Sequence, residues 1–148
     1  ESWNGTNWTE VNDMNTGKSS GAMAGASNTA ALYFGGPGTA TESWNGSNWT
    51  EVNDLNNGRS SLAGAGNYTS ALAMAGSPAS TLGTKTETWN GTIWANDAGL
   101  NTARDLGGGA GADNTAGLFF GGRNPPTVYP NTEQFTAGAV TTKTVSTD

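Results

Sequence analysis

Four glutamates recur along the chain, Glu1, Glu42, Glu87 and Glu133, separated by 41, 45 and 46 residues. Asp13 and Asp54 recur with the first two. Two carboxyl groups about 5–10 Å apart can carry out glycoside hydrolysis, one as acid and the other as base or nucleophile. The first three glutamates are followed by tryptophan pairs, Trp3/Trp8, Trp44/Trp49 and Trp89/Trp94, and paired indoles can stack on sugar rings. Both ideas meet one objection. A catalytic pair needs two environments tuned apart, whereas equivalent places of a repeat share one environment. Carboxylate catalysis would therefore fall to residues outside the pattern, Asp105 and Asp113. The tryptophans read first as packing residues, because aromatic side chains dominate core energetics.

Other chemistries are narrowed by composition. The chain has no cysteine and no histidine, which excludes disulfides, thiolate or imidazole metal sites and any triad with a histidine base. No EF-hand-like or aspartate-rich loop is present for Ca²⁺, and no cofactor is expected. A net charge of −6 with six basic residues carries no nucleic-acid footprint and no attraction to an anionic membrane. No apolar run is long enough for a transmembrane helix, and no signal peptide is visible. Six Asn-X-Ser/Thr sequons, at Asn4, Asn7, Asn45, Asn48, Asn67 and Asn90, fall mostly in a repeated turn and are explained by it.

The elements that must position these residues follow from the repeat. Residues 1–13 return almost letter for letter as residues 42–54, with looser copies beginning at Glu87 and Glu133. A period in this range marks units that bury their apolar faces only by stacking on neighbours. One unit reads as four strands. A small-residue run (21–26) is followed by a turn (27–29), then by an apolar strand (30–34) ended by Gly35-Gly36. After a loop (37–40) come a third strand (41–44), Asn45-Gly46 and a fourth strand (47–52). Asn-Gly between β-prone stretches predicts a type I′ turn, with positive φ at both central residues. Four antiparallel strands per 40–50 residues predict an all-β propeller whose Gly/Ala runs are axial strands.

A basic residue, an apolar strand ending in Gly-Gly, an aromatic, a turn and a tryptophan at fixed distance resemble the kelch motif. Leu32-Tyr33-Phe34-Gly35-Gly36, Trp44, Trp49 and Arg59 occupy the matching places, and Arg104, Gly121 and Gly122 do so again. The resemblance implies that the double glycine ends the second strand, and that the tryptophans and arginines hold one blade to the next. Ala75-Gly76 departs from it, and an alanine there argues against positive φ. Some kelch relatives are copper oxidases, but the ligands that chemistry needs are missing here.

The expected organisation is a single repeat domain over residues 1–148. It comprises an outer hairpin of a split blade (1–16), two blades (17–57 and 58–102) and a last, degenerate blade (103–148). Phe135 and Val140 replace the two tryptophans in that last blade, and its last strand is weak, at residues 140–145. About three and a half blades fall short of the roughly 4–8 of closed propellers. The chain is therefore expected to act with something else, either a homo-oligomer that closes the ring or the rest of a longer repeat chain. The least repetitive stretch, with Arg123, Asn124, Pro125, Pro126 and Tyr129, reads as a loop between second and third strands and as the first choice for partner contact. Few charges, no cysteine and abundant Asn, Thr and Gly are similar to repeat modules of bacteriophage tail fibres and surface adhesins. The expected function is a non-enzymatic structural or binding module on a virion or cell surface, with a glycan or protein partner. The alternatives are a glycan-active hydrolase or lyase and an engineered or fragmentary propeller that assembles by oligomerisation.

Overall fold

The computed structural model describes residues 1–137. Val140 and the strand expected at residues 140–145 lie outside the described residues. The fold is all-β and antiparallel, with one short helical turn. β1 (Ser2–Trp3) and β2 (Trp8–Thr9) form a hairpin with Trp3 opposite Trp8. The first full sheet runs in sequence order through β3 (Gly21–Ser27), β4 (Ala30–Gly35), β5 (Thr41–Trp44) and β6 (Trp49–Val52). The second repeats that order with β7 (Ala63–Asn67) and β8 (Ser70–Met74), then, after the turn α1 (Ala79–Leu82), β9 (Thr86–Trp89) and β10 (Trp94–Asp97). The third sheet holds β11 (Gly108–Asp113) and β12 (Ala116–Phe120), followed by the small hairpin β13 (Arg123–Asn124) and β14 (Thr127–Val128), and β15 (Thr132–Thr136), which pairs with β12.

The Gly/Ala runs are strands, and close neighbours exclude a larger side chain at several of their positions. The first strand of each sheet lies against that of the next, β3 on β7 and β7 on β11. A Cβ on Gly64 would collide with the carbonyl oxygen of Met23, and one on Gly109 would collide with that of Gly64. Two apolar layers form between the sheets. The first joins Leu32 and Phe34 to Ala71, Ala73, Trp89 and Trp94. The second joins Leu72 and Met74 to Phe119, with Phe135 packed at its margin. Even-numbered residues of β4 and β8 thus face forward along the chain onto the following sheet, and odd-numbered ones face back, as a period of two demands.

Two expectations about turns are corrected. Trp44 pairs with Trp49, so the hairpin loop has four residues rather than two, and it is not type I′. Gly46 has φ +92°, whereas Asn45 is not among the residues with positive φ. Asn45 instead caps the loop with its side chain, Oδ1 accepting from the backbone N–H groups of Ser47 (2.9 Å) and Asn48 (2.8 Å), an Asx arrangement. Asn4 and Asn90 do the same in their own copies. Ala75 does adopt positive φ, +60°, matching Gly35 at +73° and Gly121 at +67°. Its N–H donates to the Lys85 carbonyl, and its methyl is fully buried. These contacts hold alanine in a conformation that costs an L-residue about 1–2 kcal/mol.

Candidate functional site

Three of the recurring glutamates are tied into the structure. Glu42 Oε1 meets Lys18 Nζ at 2.8 Å, Glu87 Oε1 meets Arg59 Nη1 at 2.7 Å, and Glu133 Oε1 meets Arg104 Nη2 at 2.5 Å. The other oxygen, Oε2, takes two hydrogen bonds from one asparagine, through its backbone N–H and its Nδ2: Asn15 on Glu42, Asn56 on Glu87 and Asn101 on Glu133. Nδ2 of Asn15 and Asn56 also donates to the backbone oxygens of Trp49 and Trp94. The first two sheets thus tie their entry segments to their third and fourth strands through a carboxylate and an asparagine, and the third ties its entry segment to β15. Burial alone would raise the Glu42 pKa, but the hydrogen bonds from Lys18 and Asn15 outweigh it and hold this carboxyl below its ordinary value. Burial pushes the Arg59 guanidinium down from its ordinary value, and Glu87 pulls it back. The asparagines escaped the sequence reading, although Asn15, Asn56 and Asn101 each stand three residues before Lys18, Arg59 or Arg104.

These basic side chains hold their own sheets, which corrects the role implied for Arg59 and Arg104. Arg59 Nη2 donates to the Ala73 carbonyl of β8. Arg104 Nη1 donates to the carbonyls of Gly121 and Asn131, and its guanidinium lies 4.9 Å from the Phe119 ring centre. The main chain of Arg59 makes the link between sheets, its carbonyl accepting from Gly36 N–H.

The tryptophans divide by position. Trp44 and Trp89 are buried and donate Nε1–H to turn carbonyls of their own sheets, Asn28 and Tyr68. Trp94 crosses to the preceding sheet, with its ring 4.8 Å from that of Phe34 and its Nε1–H directed at Thr41 Oγ1. Trp49 is half-buried. Trp3 and Trp8 are 46% and 64% exposed, so the first pair does not pack a core.

Of the two carboxylates outside the pattern, Asp113 caps the β11–β12 turn. Hydrogen bonds from the Thr115 hydroxyl and N–H hold its carboxyl below the ordinary value. Asp105 is buried, its Oδ1 has no hydrogen-bond partner, and Arg123 Nε stands 3.6 Å away. The segment expected to be a loop is a hairpin. Arg123 faces Val128 and Asn124 faces Thr127, with Pro125-Pro126 at the turn. Asp105 and Arg123 also exchange backbone hydrogen bonds at 2.8 and 2.9 Å, which fixes the hairpin base. Tyr129 is half-buried and its N–H donates to the Gly122 carbonyl, while Val128 is 75% exposed.

A depression of about 240 Å³ is lined by Ser20, Gly21, Ser61, Leu62, Leu106 and Gly107. Ser20, Ser61 and Leu106 stand immediately before the Gly/Ala runs of the three sheets, all with positive φ (58°, 55° and 55°). Ser61 N–H donates to the Ser20 carbonyl and Leu106 N–H to the Ser61 carbonyl. Strained left-handed residues gather at functional surfaces, and here they recur at one end of every sheet. No glycine or asparagine flags them in the sequence.

No family model matches the chain, and no curated protein does. Among solved structures, the one described as "Structure of YjhT" matches with a TM-score of 0.67 at 13% identity. The match covers 88% of this chain and 46% of that one, so this chain spans about half the length of that structure.

Proposed function

We propose that this chain is an arc of a kelch-like β-propeller that serves as a non-enzymatic binding module on a virion or cell surface. The observation that carries the reading is the β13–β14 hairpin. It is one of two insertions between second and third strands among the described residues, the other being α1, its base is tied to Asp105 on two main-chain bonds, and it presents exposed Pro125, Pro126, Thr127 and Val128. An exposed, non-repeating element on a rigid scaffold is how loops become recognition surfaces. A glycan or a protein surface is the partner this hairpin suits. The uniform stacking of three sheets and the match to about half of a larger solved chain support an arc that works together with further repeats.

The test replaces residues 122–130 by the four residues Gly36-Pro37-Gly38-Thr39, which stand between the equivalent positions Gly35 and Ala40 in the first sheet. Glycan-array or cell-surface binding is expected to fall more than about tenfold, a loss of roughly 1.4 kcal/mol, with the fold retained by circular dichroism. Undiminished binding would remove the hairpin from the reading. Asp105, whose buried Oδ1 accepts no hydrogen bond and faces Arg123 at 3.6 Å, carries the second reading, a glycan-active hydrolase. Polysaccharide turnover that vanishes in Asp105→Asn would establish it in place of the first.

A further inference from the structure

Glu42 differs from Glu87 and Glu133 in one respect: its cation is a lysine. All three carboxylates share one arrangement, with Oε1 on a basic side chain and Oε2 on the asparagine three residues before it. Arginine in that place is inert, because its guanidinium keeps its proton and does not act as a nucleophile. Lysine is different. Once it gives up a proton its amine can attack a carbonyl carbon, and here a carboxamide is held on the same carboxylate.

The contacts fall on the atoms that would react. Oε1 of Glu42 is 2.8 Å from Lys18 Nζ, and Oε2 is 2.9 Å from Asn15 Nδ2. One carboxyl group thus touches both the amine and the nitrogen that the amine would displace. The asparagine is fixed by a further bond from its backbone N–H to Oε2 at 2.9 Å, and by one from Nδ2 to the Trp49 carbonyl at 3.1 Å. The side chains of Lys18 and Glu42 are 8% and 2% exposed, and the Tyr33 ring centre lies 5.9 Å from Nζ, so little water competes for the amine. Asn15 is itself exposed, which leaves a way out for ammonia.

We propose that Lys18 and Asn15 join in an isopeptide bond, with Glu42 as the proton relay. Glu42 takes a proton from the Lys18 ammonium group, and the freed amine forms the bond from Nζ to Asn15 Cγ. The Cγ–Nδ2 bond then breaks as the carboxyl group passes a proton to Nδ2. Of the three ammonium protons, one stays on the new amide nitrogen and two leave with the NH₂ group as ammonium. Glu42 ends as it began, a carboxylate, and no oxidant or further reactant enters. Its carboxyl, held below the ordinary value despite burial, starts out ionised, as a proton acceptor must. The cross-link closes a ring over Asn15-Thr16-Gly17-Lys18 at the entry to the first sheet, and it is independent of what the β13–β14 hairpin binds. The equivalent places beside Arg59 and Arg104 stay open.

The test is the intact mass of the full chain after incubation at neutral pH, followed by tandem mass spectrometry of a tryptic digest. The wild type is expected to be lighter by one ammonia, with Asn15 and Lys18 in one cross-linked fragment that trypsin does not cut after Lys18. Lys18→Arg keeps the ion pair in the form the other sheets use, and it is expected to keep the full mass. Glu42→Gln is expected to slow the loss by about a hundredfold or more, the scale of a positioned acid–base group. A succinimide at an Asn-Gly pair such as Asn45-Gly46 also sheds ammonia, so hydroxylamine, which opens an imide and spares a secondary amide, separates the two. A wild-type chain that keeps its full mass overturns the proposal, and so does a loss that persists in Lys18→Arg or yields to hydroxylamine.

Discussion

The hairpins 1–13 and 42–54 form a comparison the molecule sets up by itself: one sequence in two surroundings. Both bring their tryptophan rings to nearly the same distance, 5.5 Å for Trp3–Trp8 and 5.4 Å for Trp44–Trp49, and both cap the loop with an asparagine side chain. Local geometry is therefore written locally. Burial is not. Trp44 is closed in by its own inner strands and Glu42 is neutralised by Lys18, while Trp3 and Glu1 stay exposed. The difference teaches that the outer hairpin is a shape the sequence makes cheaply, and that its energetic weight comes from the segment beside it.

Substitutions made in parallel break this comparison where it is strongest. Glu87→Ala in the second sheet leaves Arg59 buried without its carboxylate, a loss expected at about 3–5 kcal/mol. Glu1→Ala is expected to stay within about 0.5 kcal/mol. Urea unfolding of the two variants checks both, and equal effects would mean that the buried pair contributes nothing the exposed copy lacks. Next comes Trp44→Ala, with a loss of about 3 kcal/mol for a buried indole, against less than about 1 kcal/mol for Trp3→Ala at its half-exposed site. Thermal melts of the pair test that ranking.

A pH series sharpens the same contrast more gently. The folded state holds the Glu42 carboxyl below its ordinary value of 4.5, so its stabilising contribution is full above that value. It is lost as pH falls through the folded pKa. Stability of wild type minus Glu42→Gln is thus expected to shrink on acidification below about pH 4.5. A Glu42 difference that persists unchanged at pH 3 would contradict the pairing with Lys18. The smallest effect is expected at Ala75→Gly. Relief of positive φ is worth about 1–2 kcal/mol, while the lost buried methyl costs about 0.8 kcal/mol and the greater freedom of glycine in the unfolded chain costs about 0.4–1 kcal/mol. The melting temperature should therefore move by no more than a degree or two.

What was legible in the sequence follows from the same division. The order of strands, the Gly/Ala runs and the hairpins showed as periodic patterns, because each depends on neighbours in the chain. The glutamates were seen to recur, but their partners Asn15, Asn56 and Asn101 lie some thirty residues away across the sheet, where no local rule reaches. Asn45-Gly46 was read as a two-residue turn because that dipeptide is a strong signal by itself, whereas pairing of Trp44 with Trp49 lengthens the loop and turns the asparagine into a cap. Pro125-Pro126 suggested a loop, yet the Asp105–Arg123 backbone bridge closes the chain around it into a hairpin. Ser20, Ser61 and Leu106 carried no signal, since their left-handed conformation comes from bonds between sheets.

Those three residues have a consequence for how such a chain can change over time. The junction they make runs through main-chain N–H and C=O groups only, from Leu106 to Ser61 and from Ser61 to Ser20. A main-chain link does not read side-chain identity, and the three positions already hold a hydroxyl, a second hydroxyl and an isobutyl group. Each repeat can therefore trade the chemistry it shows at this end of the molecule without loosening its hold on the next. The main chain holds the scaffold together there, and the end face is left free to differ from one repeat to the next.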